Sequence, residues 1–184
     1  MKKRCEWAKD EPNTTYHDDE WGVPLHDDVG LFEFLILEGA QAGLSWRTIL
    51  NRRDGYRIAF SNFDAVAVSK YTQNHVKKLV QNKDIIRNKL KINSAINNAK
   101  QFIKIQKEFG SFDEYLWGFV NHKPIKNKFK KHSDLACSSI ISEKLSQDLK
   151  KHGFTFVGPI ICYSLMQAVG MVNDHTSDCY KYLK

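Results

Sequence analysis

Apolar residues recur along this chain at helical rather than strand spacing. "DDVGLFEFLILEGAQAG" has an apolar body from Leu31 to Leu37 and stops at glycine, as helices commonly do. Ser45 is placed to cap a helix through "WRTILNRRDGYRIAF", and Asp64 and Thr72 to cap two short ones. The stretch 84–109 sets Ile85, Ile92, Ile96, Ala99 and Ile103 at helical intervals. Ser111 precedes "FDEYLWGFV". "SEKLSQDLKKHG" reads as a helix ended by Gly153, and "PIICYSLMQAVG" as one opened by Pro159 and closed by Gly170. No sustained two-residue alternation marks a strand, no repeat is found, and 121–141 reads as a loop-like insert. The expectation is an all-α chain forming one domain over 1–184.

Charge adds a direction to that frame. The 184 residues carry a net +7, unevenly spread. Residues 1–40 hold four basic and ten acidic side chains, whereas 41–184 hold 24 and 11. Residues 77–104 have eight Lys or Arg against one Asp, and "HKPIKNKFKKH" has five Lys and no acid. One such cluster is as readily a solvated face; two beside a helical core point to a polyanion, with nucleic acid first. Four cysteines lack the density of a disulfide scaffold. The start "MKKRCEWAKDEP" has no apolar signal region, and Ile160 to Val172 is too short and too polar to span a bilayer. These features predict a cytoplasmic protein with reduced thiols and no membrane partner.

Two local patterns carry candidate chemistry. In "KKHGFTFVGPIICY" a helix, a short turn with Gly153 and Gly158, and a second helix have the layout of a helix–hairpin–helix. Glycine permits close backbone approach to a phosphate, and a helix N-terminus favours an anion. An ordinary tight link between packed helices fits the same letters. At the chain ends, "VNDHTSDCYKYLK" puts His175 and Cys179 four residues apart, on one face if the segment makes a helical turn capped by Asp174. Cys5 and His17 would complete a Cys2His2 set suited to tetrahedral zinc. The spacing of Cys5 and His17 matches no common zinc knuckle, so spacing alone leaves unrelated thiols and surface histidines open.

"RCEW", "YHDDEWGVP", "LILEGAQAGLSW", "FVNH" and "GFTFVGPIICYSLMQAVGMVNDH" stand in an order and spacing similar to the bacterial 3-methyladenine DNA glycosylase I family, over nearly the whole chain. The resemblance implies a helix–hairpin–helix superfamily fold, with the hairpin around 142–170. It implies an enzyme that hydrolytically excises 3-methyladenine from double-stranded alkylated DNA as a monomer. It also implies one structural zinc per chain on Cys5, His17, His175 and Cys179, joining the two ends.

By the same resemblance Glu38 is the carboxylate of the base pocket, with a catalytic role, and Tyr16, Trp21 and Trp46 are its aromatic positions. Leu44 resembles a wedge that enters the space left by an extruded nucleotide. Read without the resemblance, Glu38 is a carboxylate near the end of an apolar helix and Trp46 a core residue. Asn13 departs from the aromatic residue expected there in some relatives. Ser164 is expected either to back-bond to its own helix, the favoured reading, or to face the pocket, and Asp174 to cap rather than catalyse. No lysine stands at the hairpin position used by the superfamily's bifunctional lyases, so a monofunctional enzyme is expected. The competing expectations are a non-catalytic, zinc-stapled nucleic-acid-binding module and a glycosylase for another alkylated purine.

Overall fold

A computed structural model describes residues 2–182. Ten helices follow in order: α1 (Asn13–Asp19), α2 (Asp28–Gln41), α3 (Trp46–Leu50), α4 (Arg53–Ala59), α5 (Ala65–Ser69), α6 (Gln73–Leu79), α7 (Lys89–Phe109), α8 (Phe112–Gly118), α9 (Ile140–Lys151) and α10 (Pro159–Ala168). Side-chain caps start most of them where the sequence places one. Asp27 accepts from the amides of Val29 and Gly30 at α2, Ser45 from Thr48 at α3, and Ser111 from Glu114 at α8. Each satisfies amides that a helix start leaves without partners.

α2 is the centre of the molecule. Every residue from Leu31 to Ala40 is buried, so its sequence is apolar all round rather than amphipathic. α7 packs against α2, α5, α6 and α8, while α10 packs on α9 and α2. One buried cluster joins these elements, with Phe32, Phe102, Phe112 and Trp117 among its largest members.

Several boundaries differ from expectation. Asn51 and Arg52 divide the helix expected from Ser45 into α3 and α4. α7 starts only at Lys89, capped by Asn88, so Ile85 is buried from the preceding loop. The helical face of α7 buries Phe102 and Ile105, and Ile103 is only half-buried. α1 was not expected at all.

The insert is not simply a loop. Ile125–Lys126 (β1) pairs in parallel with Val172–Asn173 (β2). The pairing is extended by Asn127 N to Asn173 O at 3.1 Å and by Ser177 N to Phe129 O at 2.8 Å. Among the described residues this is the one departure from a helical fold.

Candidate active site and metal centre

The polar residues of α2 separate into two kinds. Glu33 accepts from Arg53 Nε at 2.6 Å and Arg57 Nε at 3.0 Å, so its charge is paired. Glu38, five residues on, is 4% exposed and its Oε2 is buried with no hydrogen-bond partner. Burial without a counter-charge pushes its carboxyl up to about 8. A charge so placed costs free energy, so near neutral pH Glu38 keeps its proton unless a cationic partner enters the cavity.

Glu38 opens onto a cavity of about 730 Å³. Tyr16 and Trp21, from α1 and the loop after it, form its wall with Trp46 from the first turn of α3. The rings of Tyr16 and Trp46 lie 5.2 Å apart between centroids. The Trp46 Nε1 donor and the Asn13 Oδ1 acceptor are likewise buried without partners. Burial, with Glu38 nearby, pushes the Tyr16 phenol well above its ordinary value. The volume suits a small planar ligand, and the unpaired atoms require that it present both donors and acceptors.

The structure brings the four predicted pocket residues together and adds others. Ser164 lines the cavity rather than a purely internal helix face, and Asn13 lines it too. The mouth is formed partly by His132, Ser133, Leu135 and Cys137 of the supposed insert. No pattern in 132–137 announces this role; only the preceding segment carries a signal, in 125–130, where half-buried Ile125, Asn127 and Phe129 alternate with exposed Lys126, Lys128 and Lys130. That is the two-residue period of a strand.

Asp174 corrects an expectation. It caps no helical turn, because the segment after β2 is irregular. It is fully buried and accepts from Asn127 Nδ2 at 2.7 Å, Tyr163 OH at 2.8 Å and Gln167 Nε2 at 2.8 Å. Tyr163 and Gln167 line the cavity, so Asp174 braces its floor.

At the chain ends, ligand atoms of buried Cys5, His17 and Cys179 all lie within 4.8 Å of one another. Cys179 Sγ is 3.4 Å from His17 Nε2. His17 Nδ1 is bonded to Asp18 at 2.9 Å, and Asp18 is held by Arg4. His175 stands outside this tight group, with its ring centroid 4.9 Å from that of His17. Its Nδ1 is bonded to Asn173 Oδ1 at 2.9 Å, while Nε2 is buried and unpartnered. Burial pushes His175 down to about 3, which keeps the imidazole neutral, the form that ligates. Gly22, at φ +75°, gives the ring its room, since a Cβ there would meet His175 Cε1 at 2.9 Å. Two thiols, a histidine oriented by a carboxylate and an orphaned imidazole nitrogen fit a four-coordinate metal of the zinc type.

The predicted DNA-contacting residues are not part of the cavity lining. Leu44, 39% exposed, sits in the α2–α3 loop beside a groove with Arg52, Lys83 and Arg87. Gly153 closes α9 at φ +85°, its amide donating to Lys150 O at 3.0 Å and its carbonyl accepting from Asn97 at 2.8 Å. Its amide is therefore taken, while Gly158 is the N-cap of α10.

A family model described as methyladenine glycosylase matches residues 7–182. The chain is 45% identical over 181 residues to DNA-3-methyladenine glycosylase 1 of Escherichia coli strain K12, covering 98% of this chain and 97% of that protein. A crystal structure of a 3-methyladenine DNA glycosylase I superposes with TM-score 0.95 at 41% identity, covering 98% of this chain and all of that one. The enzyme of that name from Staphylococcus aureus, whose structure concerns recognition of 3-methyladenine, superposes equally well at 35% identity. It covers 98% of this chain and 97% of its own.

Proposed function

This chain belongs to the methyladenine glycosylase family, and we propose that it is a monofunctional DNA repair glycosylase that excises 3-methyladenine from alkylated duplex DNA. The observation that carries the assignment is the unpartnered carboxylate of Glu38 in an aromatic cavity. A 3-methyladenine residue in DNA carries a positive charge, a flat ring and an exocyclic amine. It supplies the counter-charge and the donor that Glu38 lacks, and its faces suit Tyr16, Trp21 and Trp46.

The chemistry follows from the lesion. The base must first leave the stack, because its glycosidic bond is out of reach within a duplex. Breaking the bond from C1′ to N9 sends the electron pair to the purine, which departs neutral and needs no protonation. Positive charge moves to C1′, and the buried carboxylate in the same cavity stabilises the charge during that transfer. Water traps C1′ and releases its proton to solvent. The cavity lining holds no lysine among the described residues, in keeping with hydrolysis without a lyase step.

DNA would lie over the mouth of the cavity, with Leu44 entering the gap left by the base and the α9–α10 hairpin contacting phosphate through Gly158. The basic surface would supply affinity without sequence specificity. The helix–hairpin–helix assignment rests on that α9–α10 layout, and we assign the chain to one domain acting as a monomer in the cytoplasm. A zinc ion on Cys5, His17, Cys179 and His175 would cross-link the two ends of the chain and leave no open position for substrate.

The test is incubation with methylated DNA and chromatographic identification of the freed bases. Release of 3-methyladenine is expected. If no base is freed while DNA is still bound, the chain is a non-catalytic binding module.

A further inference from the structure

We propose that Asn13 is a specificity-determining residue of the cavity, supplying a second hydrogen-bond acceptor for the exocyclic amine of the base. The inference rests on the glycosylase reading and extends it. Asn13 is the first residue of α1, whose N-cap is Pro12. Its Oδ1 is buried, unpartnered and in the lining of the same cavity as Glu38 Oε2.

The ligand chemistry calls for two such atoms. In 3-methyladenine the amine carries the only N–H bonds, two of them, and they diverge. One carboxylate oxygen satisfies one; the other N–H, enclosed in a cavity, costs free energy if it meets no acceptor. A buried donor is already available from Trp46 Nε1 for a ring nitrogen. Glu38, Asn13 and Trp46 therefore present two acceptors and one donor, and an amine with an adjacent ring nitrogen matches that set. A purine with a carbonyl oxygen in place of the amine turns both acceptors against an acceptor.

Binding of free 3-methyladenine and free 3-methylhypoxanthine to the full-length, metal-loaded chain tests this, read by quenching of the cavity tryptophans. Asn13→Ala should weaken 3-methyladenine by about tenfold, the size of one buried hydrogen bond, while leaving 3-methylhypoxanthine at or above its wild-type affinity. Asn13→Asp, which keeps the acceptor, should restore 3-methyladenine binding and reject 3-methylhypoxanthine more strongly. Unchanged 3-methyladenine binding in Asn13→Ala would overturn the proposal. Equal weakening of both bases, whether or not Asn13→Asp restores them, would overturn it as well, since that is what distortion of α1 produces. A wild-type chain that binds neither base and frees none from methylated DNA refutes the glycosylase reading itself. A wild-type chain that frees 3-methyladenine beside an indifferent Asn13→Ala refutes only the role of Asn13.

Discussion

Replacing Glu38 by Gln should make the protein more stable in alkaline solution and worse at its task. Burial lifts the Glu38 carboxyl from an ordinary value near 4.5 to about 8. Between these values the folded protein holds a proton that the unfolded chain has released, so stability falls as pH rises through the window. The contribution is complete below pH 4.5 and gone above pH 8. A shift of this size corresponds to about 5 kcal/mol at 1.36 kcal/mol per unit. Glu38 lines an open cavity, and entering water reduces the penalty, so we expect about 2–5 kcal/mol. Gln keeps the shape and does not titrate. Tyr16 is pushed up by burial and stays protonated throughout the window. Thermal and urea unfolding of both proteins at pH 5 and pH 9 measures the difference. Glu38→Gln should gain relative to wild type by roughly 5–15 °C on moving to pH 9, and in single-turnover excision it should lose 3-methyladenine release and narrow the preference over 3-methylguanine. Melting curves that stay parallel from pH 5 to pH 9 would refute the reasoning, because Glu38 would then be solvated or paired in solution.

Four further outcomes follow from the same geometry. Cys179→Ala should lose bound zinc in metal analysis and melt lower, with Cys137→Ala and Cys162→Ala keeping full metal content. Gly22→Ala should also lose metal affinity, since its Cβ would press on His175 while φ is +75°; metal titration by competition with a chelator reads it. Trp46→Ala and Tyr16→Phe should weaken 3-methyladenine and 3-methylguanine together in single-turnover assays, because stacking does not read the exocyclic group. Replacing Lys126, Lys128, Lys130 and Lys131 by Ala tests the basic segment that begins in β1: the salt slope of DNA binding should drop by about 0.9 for each phosphate contact removed, and an unchanged slope would make these lysines a solvated face.

What the sequence reveals here is what lies close along the chain. Asp27, Ser45 and Ser111 cap helices because a cap needs only the next three residues, and α2 announces itself by the run from Leu31 to Leu37, apolar but for Glu33. The break at Asn51–Arg52 is less legible, because α3 and α4 each pack on their own patch of core and no proline or glycine marks the join. β1 was missed for a different reason. Its partner, β2, lies some 47 residues further along, and two residues of pairing leave only the faint alternation of Ile125, Asn127 and Phe129 with lysines. The cavity wall built from 132–137 was hidden with it. Glu38 and Glu33 could not be told apart by sequence pattern alone, since both are acids on one apolar helix. The distinction is that Arg53 and Arg57 reach Glu33, while among the described residues none bonds to the buried Oε2 of Glu38.

Three consecutive buried residues explain why a metal at the chain ends matters to a cavity in the middle. Asn173 pairs with Lys126 in the ladder and holds His175 Nδ1 through its side chain. Asp174 ties Asn127 of the basic strand to Tyr163 and Gln167 on the cavity floor. His175 keeps a buried, unpartnered Nε2, and its ring centroid lies 4.9 Å from that of His17 in the cysteine–histidine cluster. Between β2 and Tyr180 the backbone has no helix to fix it, so its position depends on these side-chain bonds and would depend on the proposed metal cross-link to Cys5 and His17. A metal there would constrain Asp174, and Asp174 constrains the face of α10 that lines the cavity. The cavity can then hold its unpaired atoms in place before any ligand arrives, which is the condition for Glu38 to discriminate between purines that differ by one group.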